Sequence, residues 1–137
     1  MFDSFGNDRL AKWKQIRDQL ETETDPLQIV SELWAQAPLV NPFLDQDDAE
    51  SWPDPWRLVM DNRYDDLAIC LGMLYTLKLT QRFMGSKYEI HMSINSYKKE
   101  PLYFLVVDSK SVLNLCYRKV FTVDVLKDIE SNIIWSL

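Results

Sequence analysis

The sequence predicts a single α+β domain, and three observations carry that prediction. Apolar residues step by three and four through the first sixty positions. Residues 67–77 are then apolar on nearly every side. From residue 88 to residue 117 the step falls to two, or to unbroken apolar runs. A chain of 137 residues has the length of one domain. At about 150 residues a domain buries roughly 70% of its unfolded surface, so no disulfide staple is required. With 47% apolar residues and five tryptophans the composition excludes intrinsic disorder, and three glycines exclude collagen-like repeats and glycine-rich phosphate loops. The expected organisation is one unit over 1–137, with a helical, acidic part at 1–50 and the central helix, sheet and last helix at 51–137.

Asn7 is placed to cap a first helix, because Leu10, Trp13, Ile16 or Arg17, and Leu20 follow at helical spacing. Thr24, with Asp25 and Pro26 behind it, opens a second helix bearing Leu27, Val30, Leu33 and Trp34. Pro38 and Pro42 end it, and an acidic loop leads to Ser51. In Trp52-Pro53-Asp54-Pro55-Trp56 the two prolines stiffen a corner between two indoles, and a short helical turn over 57–60 follows. Asp65 and Asp66 then introduce the central helix, with Lys78 and Arg82 near its end, a charge order that suits the helix dipole. Gly72 inside it predicts close approach of another element.

Beyond Gly85, Tyr88, Ile90, Met92 and Ile94 alternate with Glu89, His91, Ser93 and Asn95, the pattern of a half-buried strand. Leu102 to Val107 is continuously apolar and predicts a strand covered on both faces. Asp108-Ser109-Lys110 turns the chain into a third strand over 111–117. Thr122 is placed to cap a last helix with Val125 or Leu126, Ile129, Ile133 and Leu137 inward, although strand is the alternative for the final segment.

The net charge of −6 is uneven: residues 1–60 hold 12 acidic and 5 basic side chains, and residues 61–137 hold 9 and 10. Neither part has the basic footprint that nucleic acid demands, and Lys98 and Lys99 are a local pair beside Glu100. Asp45, Asp47, Asp48 and Glu50 read first as a solvated loop and second as a face for a basic partner. The N-terminus has no basic flank or apolar core of a signal peptide. No apolar run is long enough to span a membrane, and two cysteines do not make a disulfide framework. These readings lead to the expectation of a protein kept in a reducing, cytoplasmic compartment, with no membrane and no nucleic-acid partner.

The candidate chemical groups are few. His91 is the only histidine, on the polar side of its strand, and reads as a surface residue. Cys70 lies inside the apolar helix, where a thiol is inert, and Cys116 stands near a strand end beside Arg118 and Lys119. Asp61, Asp65 and Asp66 have the chemistry to bind a hard cation, but capping of the central helix is the simpler account. No motif for a metal or cofactor is present, so no cofactor is expected.

Set in order, Trp52-Pro53-Asp54-Pro55-Trp56, then Tyr64-Asp65-Asp66-Leu67-Ala68, then Leu102–Val107 turning into Val112-Leu113-Asn114, resemble the transglutaminase-like branch of papain-type folds across residues 50–116. In that family a Cys-Asp-x-x-Ala step starts the central helix, a histidine opens a following strand, and Asp or Asn lies on the next. The resemblance implies Tyr64 at the nucleophile position, Leu102 at the histidine position, and Asn114 as the one residue able to fill its slot. A phenol and an isobutyl group cannot form a thiolate–imidazolium pair, so the resemblance implies a catalytically dead copy. The overall look, small, acidic and without a cofactor motif, also resembles accessory and structural proteins of tailed bacteriophages.

The function expected first is therefore a non-catalytic protein-binding or structural component of a larger assembly, a phage particle included, with another protein as partner and an oligomer compatible with that role. Its candidate contacts are Trp52, Asp54 and Trp56 with Asp45, Asp47 and Asp48. The alternatives are a cysteine hydrolase or acyltransferase of transglutaminase-like type, using Cys70 or Cys116 with His91 and Asn114, and an acidic regulator of a basic protein.

Overall fold

The computed structural model describes residues 1–94 and 99–137. Four α-helices come first: α1 (Gly6–Leu20), α2 (Pro26–Trp34), α3 (Pro55–Asp61) and α4 (Asp66–Lys78). Five strands follow: β1 (Tyr88–Ile94), β2 (Pro101–Val107), β3 (Ser111–Cys116), β4 (Lys119–Thr122) and β5 (Asn132–Ser136). They form one antiparallel sheet in the order β4-β3-β2-β1-β5. The predicted α+β class is what the structure has. Asn95 and Lys98 lie outside the described residues, so the strand alternation is followed only to Ile94.

Helix α4 is buried on all sides, as its unbroken apolar sequence requires. Strands β2 and β3 cover one side, and α2 and α3 pack on it as well. Its polar interior group, Thr76, has its hydrogen-bonding capacity used fully. The indole Nε1–H groups of Trp13 and Trp34 both donate to Thr76 Oγ1 at 3.0 Å, and that hydroxyl donates to the Gly72 carbonyl at 2.6 Å. Gly72 is in contact with the Trp34 ring, and a Cβ there would overlap it, which is the close approach the sequence predicted.

Both sides of β2 are covered. Leu105 and Val107 join the α4 core, while Phe104 and Val106 join Val112 in a smaller cluster with Phe121, Val123, Val125 and Leu126. That second cluster is closed by a 3-10 helix, Val123–Asp128. The helix that Thr122 opens is therefore real but short, and the chain continues as β5 instead of staying helical to Leu137. The β-branched pair Ile133-Ile134 suits a strand, and the open edge of β1 supplies its hydrogen-bonding partners. His91 is corrected in consequence. Its side of β1 packs toward the second cluster, with the imidazole stacked on Phe104 at 5.0 Å between centroids.

Two caps differ from expectation by a residue or two. Helix α1 begins at Gly6 after Phe5, with no side-chain cap from Asn7, and α2 is capped by Asp25, which accepts from the Gln28 amide, with Thr24 outside. Arg9, buried in α1, satisfies the end of α3 by donating to the carbonyls of Val59 and Met60. Among the tryptophans, Trp13 and Trp34 are fully buried, Trp52 and Trp135 partly so, and Trp56 is 47% exposed.

Two substitutions test this packing. Thr76→Val keeps the shape but leaves two buried indole donors unpaired, which should cost about 2–5 kcal/mol in urea unfolding, while Thr76→Ser should restore most of it. Gly72→Ala should cost at least about 1–3 kcal/mol through overpacking against Trp34, whereas Gly85→Ala, with open space around its Cβ, should be near neutral.

Candidate functional site at the start of the central helix

Two consecutive aspartates divide the work at the N-terminus of α4. Asp65, buried and in extended backbone conformation, is the N-cap, and its Oδ1 accepts from the Ala68 amide at 2.8 Å. Its Oδ2 accepts from the amides of both Phe43 and Leu44 at 2.8 Å. One carboxylate thus ends the helix and pins the loop that crosses in front of it. That loop is held a second time where the Val40 amide donates to the Tyr64 carbonyl at 2.8 Å and Leu39 bridges to Tyr64. The capping account of the acidic trio is correct for Asp65, whereas Asp61 pairs with Arg57 on α3 at 3.6 Å. No cluster of metal-ligating side chains occurs among the described residues.

Asp66, the first residue of α4, turns toward the sheet. Its Oδ2 accepts from the Tyr103 amide at 2.8 Å, and its Oδ1 accepts from Asn114 Nδ2 at 3.0 Å. The reason lies in β3. That strand pairs with β2 only from Ser111 to Leu113, and its register with β4 shifts between Leu113 and Cys116. Asn114 takes φ +67° inside this bulge, a left-handed conformation that asparagine tolerates. The bulge leaves Tyr103 without a β3 partner and swings the Asn114 side chain to the α4 side. There its amide also reaches the Tyr103 carbonyl at 3.0 Å and Cys70 Sγ at 3.3 Å.

The electrostatics follow from burial. Desolvation raises the Asp66 carboxyl above its usual range, against the lowering effect of its two N–H donors, and the neighbouring Asp65 charge adds to the rise. Burial pushes the Cys70 thiol well up, the Asp66 charge reinforces this, and the Asn114 contact only partly opposes it. A thiolate does not form easily there.

Of the family positions, Tyr64 is fully buried, its ring edge-on to Phe2 and Trp34, and burial raises its phenol despite the opposing charge of Arg9. Leu102 and Asn114 line one groove of 290 Å³ together with Asp66 and Cys116, and Tyr64 is not part of it. The cysteine set named in the sequence is divided. Cys70 is buried on α4 and Cys116 is exposed in the groove. His91 is on the opposite side of the sheet from α4, bonded to Ser131 Oγ at 2.9 Å and Glu89 Oε1 at 3.1 Å.

The proposed contact residues also disperse. Asp54 caps α3 by accepting from the Arg57 amide at 2.8 Å. Trp56 packs edge-on to Trp13, with Arg17 over both rings. Trp52 packs against the core and donates through Nε1 to the Asp45 carbonyl at 2.7 Å. Asp47 and Asp48 are exposed on the loop, where the Asp47 amide donates to Asp45 Oδ1 at 2.9 Å. The sequence reading missed the partnership of Asp66, Tyr103 and Asn114. An asparagine inside an apolar strand was its only local signal.

Two expectations follow. Asp65→Ala should destabilise the fold by about 2–4 kcal/mol, combining a lost cap with lost charge-assisted bonds, and should speed hydrogen exchange at the Phe43 and Leu44 amides. Asp66 should make the stability of the fold depend on pH. Its folded carboxyl holds a proton more tightly than the unfolded one, so its contribution to stability falls as pH rises from the ordinary carboxyl value, 3.8, through the raised folded value. Unfolding of Asp66→Asn across that window should lack this decline, and an identical pH profile would contradict the assignment.

No family model matches the sequence, and no curated protein matches it. Among solved structures, calcium-bound LapG from Legionella pneumophila superposes with a TM-score of 0.70 at 13% identity, covering 98% of this chain and 77% of that one. EGTA-treated LapG gives 0.70 at 14% identity, with 98% and 75% covered, and a further LapG structure gives 0.67 at 14%, with 98% and 77% covered. The likeness runs through nearly the whole of this chain. It shows that this chain has the fold of LapG.

Proposed function

We propose that this chain is a non-catalytic protein of transglutaminase-like fold that binds a polypeptide in the groove beside the start of α4. One observation carries the reading: Tyr64, which the sequence resemblance puts at the nucleophile position, is a fully buried phenol outside the groove that Leu102, Asn114 and Asp66 line. The hydrogen-bonded set of Asp66, Tyr103, Asn114 and Cys70 supports it further. In this set Cys70 is desolvated, which disfavours the thiolate that acyl transfer needs. Neither the superpositions nor the site supports a structural role in a phage particle.

A second reading has a specific observation in its favour. The chain shares the fold of LapG, the sequence resembles the transglutaminase-like cysteine enzymes, and Cys116 lines the same groove as Asn114 and Asp66. In that reading Cys116 is the nucleophile of a hydrolase or acyltransferase. The described residues offer it no imidazole on the groove side, because His91 stacks on Phe104 across the sheet.

Residue-resolved alkylation with iodoacetamide between pH 5 and pH 9 separates the two. Under the binding reading Cys70 is labelled only on unfolding, and Cys116 shows no rapid labelling below pH 7. Rapid labelling of Cys116 at pH 6, lost in Asn114→Ala, would overturn that reading in favour of the enzyme.

A further inference from the structure

The 290 Å³ groove has walls of one kind and a floor of another. Leu39, Ile69, Met73, Leu102 and Tyr117 supply apolar surface, and Leu39 and Tyr117 are each about two-thirds exposed, at 67% and 66%. Against these walls stand three polar side chains: Asp66, Asn114 and Ser31. Asp66 accepts one N–H on each oxygen, from Tyr103 and Asn114, and a carboxylate has about four acceptor positions. None of the ion pairs among the described residues includes it. Arg118 lines the groove too, but its guanidinium lies over the Tyr117 ring at 5.1 Å from the centroid.

Ser31 provides an independent sign. The residue is 1% exposed, and its Oγ has no hydrogen-bond partner, although a buried hydroxyl without a partner is costly. It lines the same groove as the uncompensated carboxylate. Asp66 also lines a neighbouring groove of 370 Å³ with Asp65 and Glu100, so the surface around it is acidic. A desolvated carboxylate is best offset by a cation that brings its own apolar stem.

We propose that this groove receives a lysine or arginine side chain of a partner polypeptide, its methylenes against the Leu39 and Leu102 walls and its cationic end at Asp66. Ser31 Oγ is a further unpartnered acceptor in the lining of the same groove. The proposal rests on the binding reading above and gives that partner its chemistry: a segment with a basic residue flanked by small ones. A free polyamine shares the charge but not the backbone that would lie over the exposed Leu39 and Tyr117.

Acetylated, amidated Gly-Lys-Gly and Gly-Arg-Gly peptides, the norleucine counterpart and spermidine form the probe set. Binding is read from the NMR shifts of the Asn114 side-chain amide and the Ile69 and Met73 methyls. The basic peptides should shift these signals saturably, at least about tenfold more tightly than the norleucine peptide. Asp66→Asn should erase that difference. Ala35→Phe, which fills the groove from the end of α2 and leaves the carboxylate in place, should abolish saturable shifts. Equal binding of lysine and norleucine peptides, no saturable shift in the wild type, or tighter binding of spermidine than of either basic peptide would each overturn the proposal. Those outcomes leave the alkylation result untouched. Rapid low-pH labelling of Cys116 would remove the non-catalytic reading without removing lysine selectivity.

Discussion

Helix α4 is buried on every side, so every polar group it carries must be satisfied from within the protein. That single requirement organises the rest of the molecule. Thr76 is satisfied by serving two tryptophans from two different helices and returning its own proton to Gly72. The same Gly72, by lacking a side chain, lets Trp34 come close enough to reach that hydroxyl. The two features depend on each other. A larger residue at 72 would push Trp34 away, and without the Thr76 hydroxyl two indole N–H groups would be left unpaired in an apolar interior.

The start of α4 obeys the same rule with charge in place of a hydroxyl. A buried helix N-terminus exposes amide groups that need acceptors, and Asp65 meets this need while holding the loop over residues 39–44 in place. Asp66 has a different task, because the sheet itself is incomplete beside it. The bulge at Asn114 interrupts β3, and the carboxylate stands in for the missing strand at Tyr103. Two chemically identical neighbours thus acquire separate roles. One is consumed by local structure, and the other retains acceptor capacity at a groove.

The shared fold with LapG does not by itself fix the chemistry of the site. A helix N-terminus set against a sheet concentrates polar backbone groups and leaves a cleft regardless of what chemistry occupies it. Tyr64, just before that helix, is part of the core: it packs with Phe2 and Trp34, and burial disfavours its ionisation. The lining of the cleft is drawn from α2, the loop after it, α4, β2 and β3, so the packing of these elements alone shapes it.

Periodicity and composition determined the α+β class, the all-buried α4, the doubly covered β2 and a cap for α4 from one of the aspartates before it. In each, the signal is local, since a side-chain period or an acid before an apolar run dictates its own environment. The last segment shows where such signals stop. Ile133, Ile134 and Trp135 suit either a short buried helix or a strand, and the free edge of β1 decided for β5. His91 shows the same limit. Its polar neighbours suggested solvent, but the second cluster and the 3-10 helix cover that side of the sheet. The candidate site was legible only in pieces. Asp66, Leu102 and Asn114 were each visible in the sequence, yet 48 residues separate Asp66 from Asn114. Their meeting depends on a bulge whose positive φ has no periodic signature. The sequence by itself determined which faces are apolar and where α4 is capped, because those are properties of neighbours along the chain. Only the tertiary structure decided which polar groups meet at the groove and which are consumed elsewhere, because hydrogen-bond partners in a buried interior are chosen by strand register and packing.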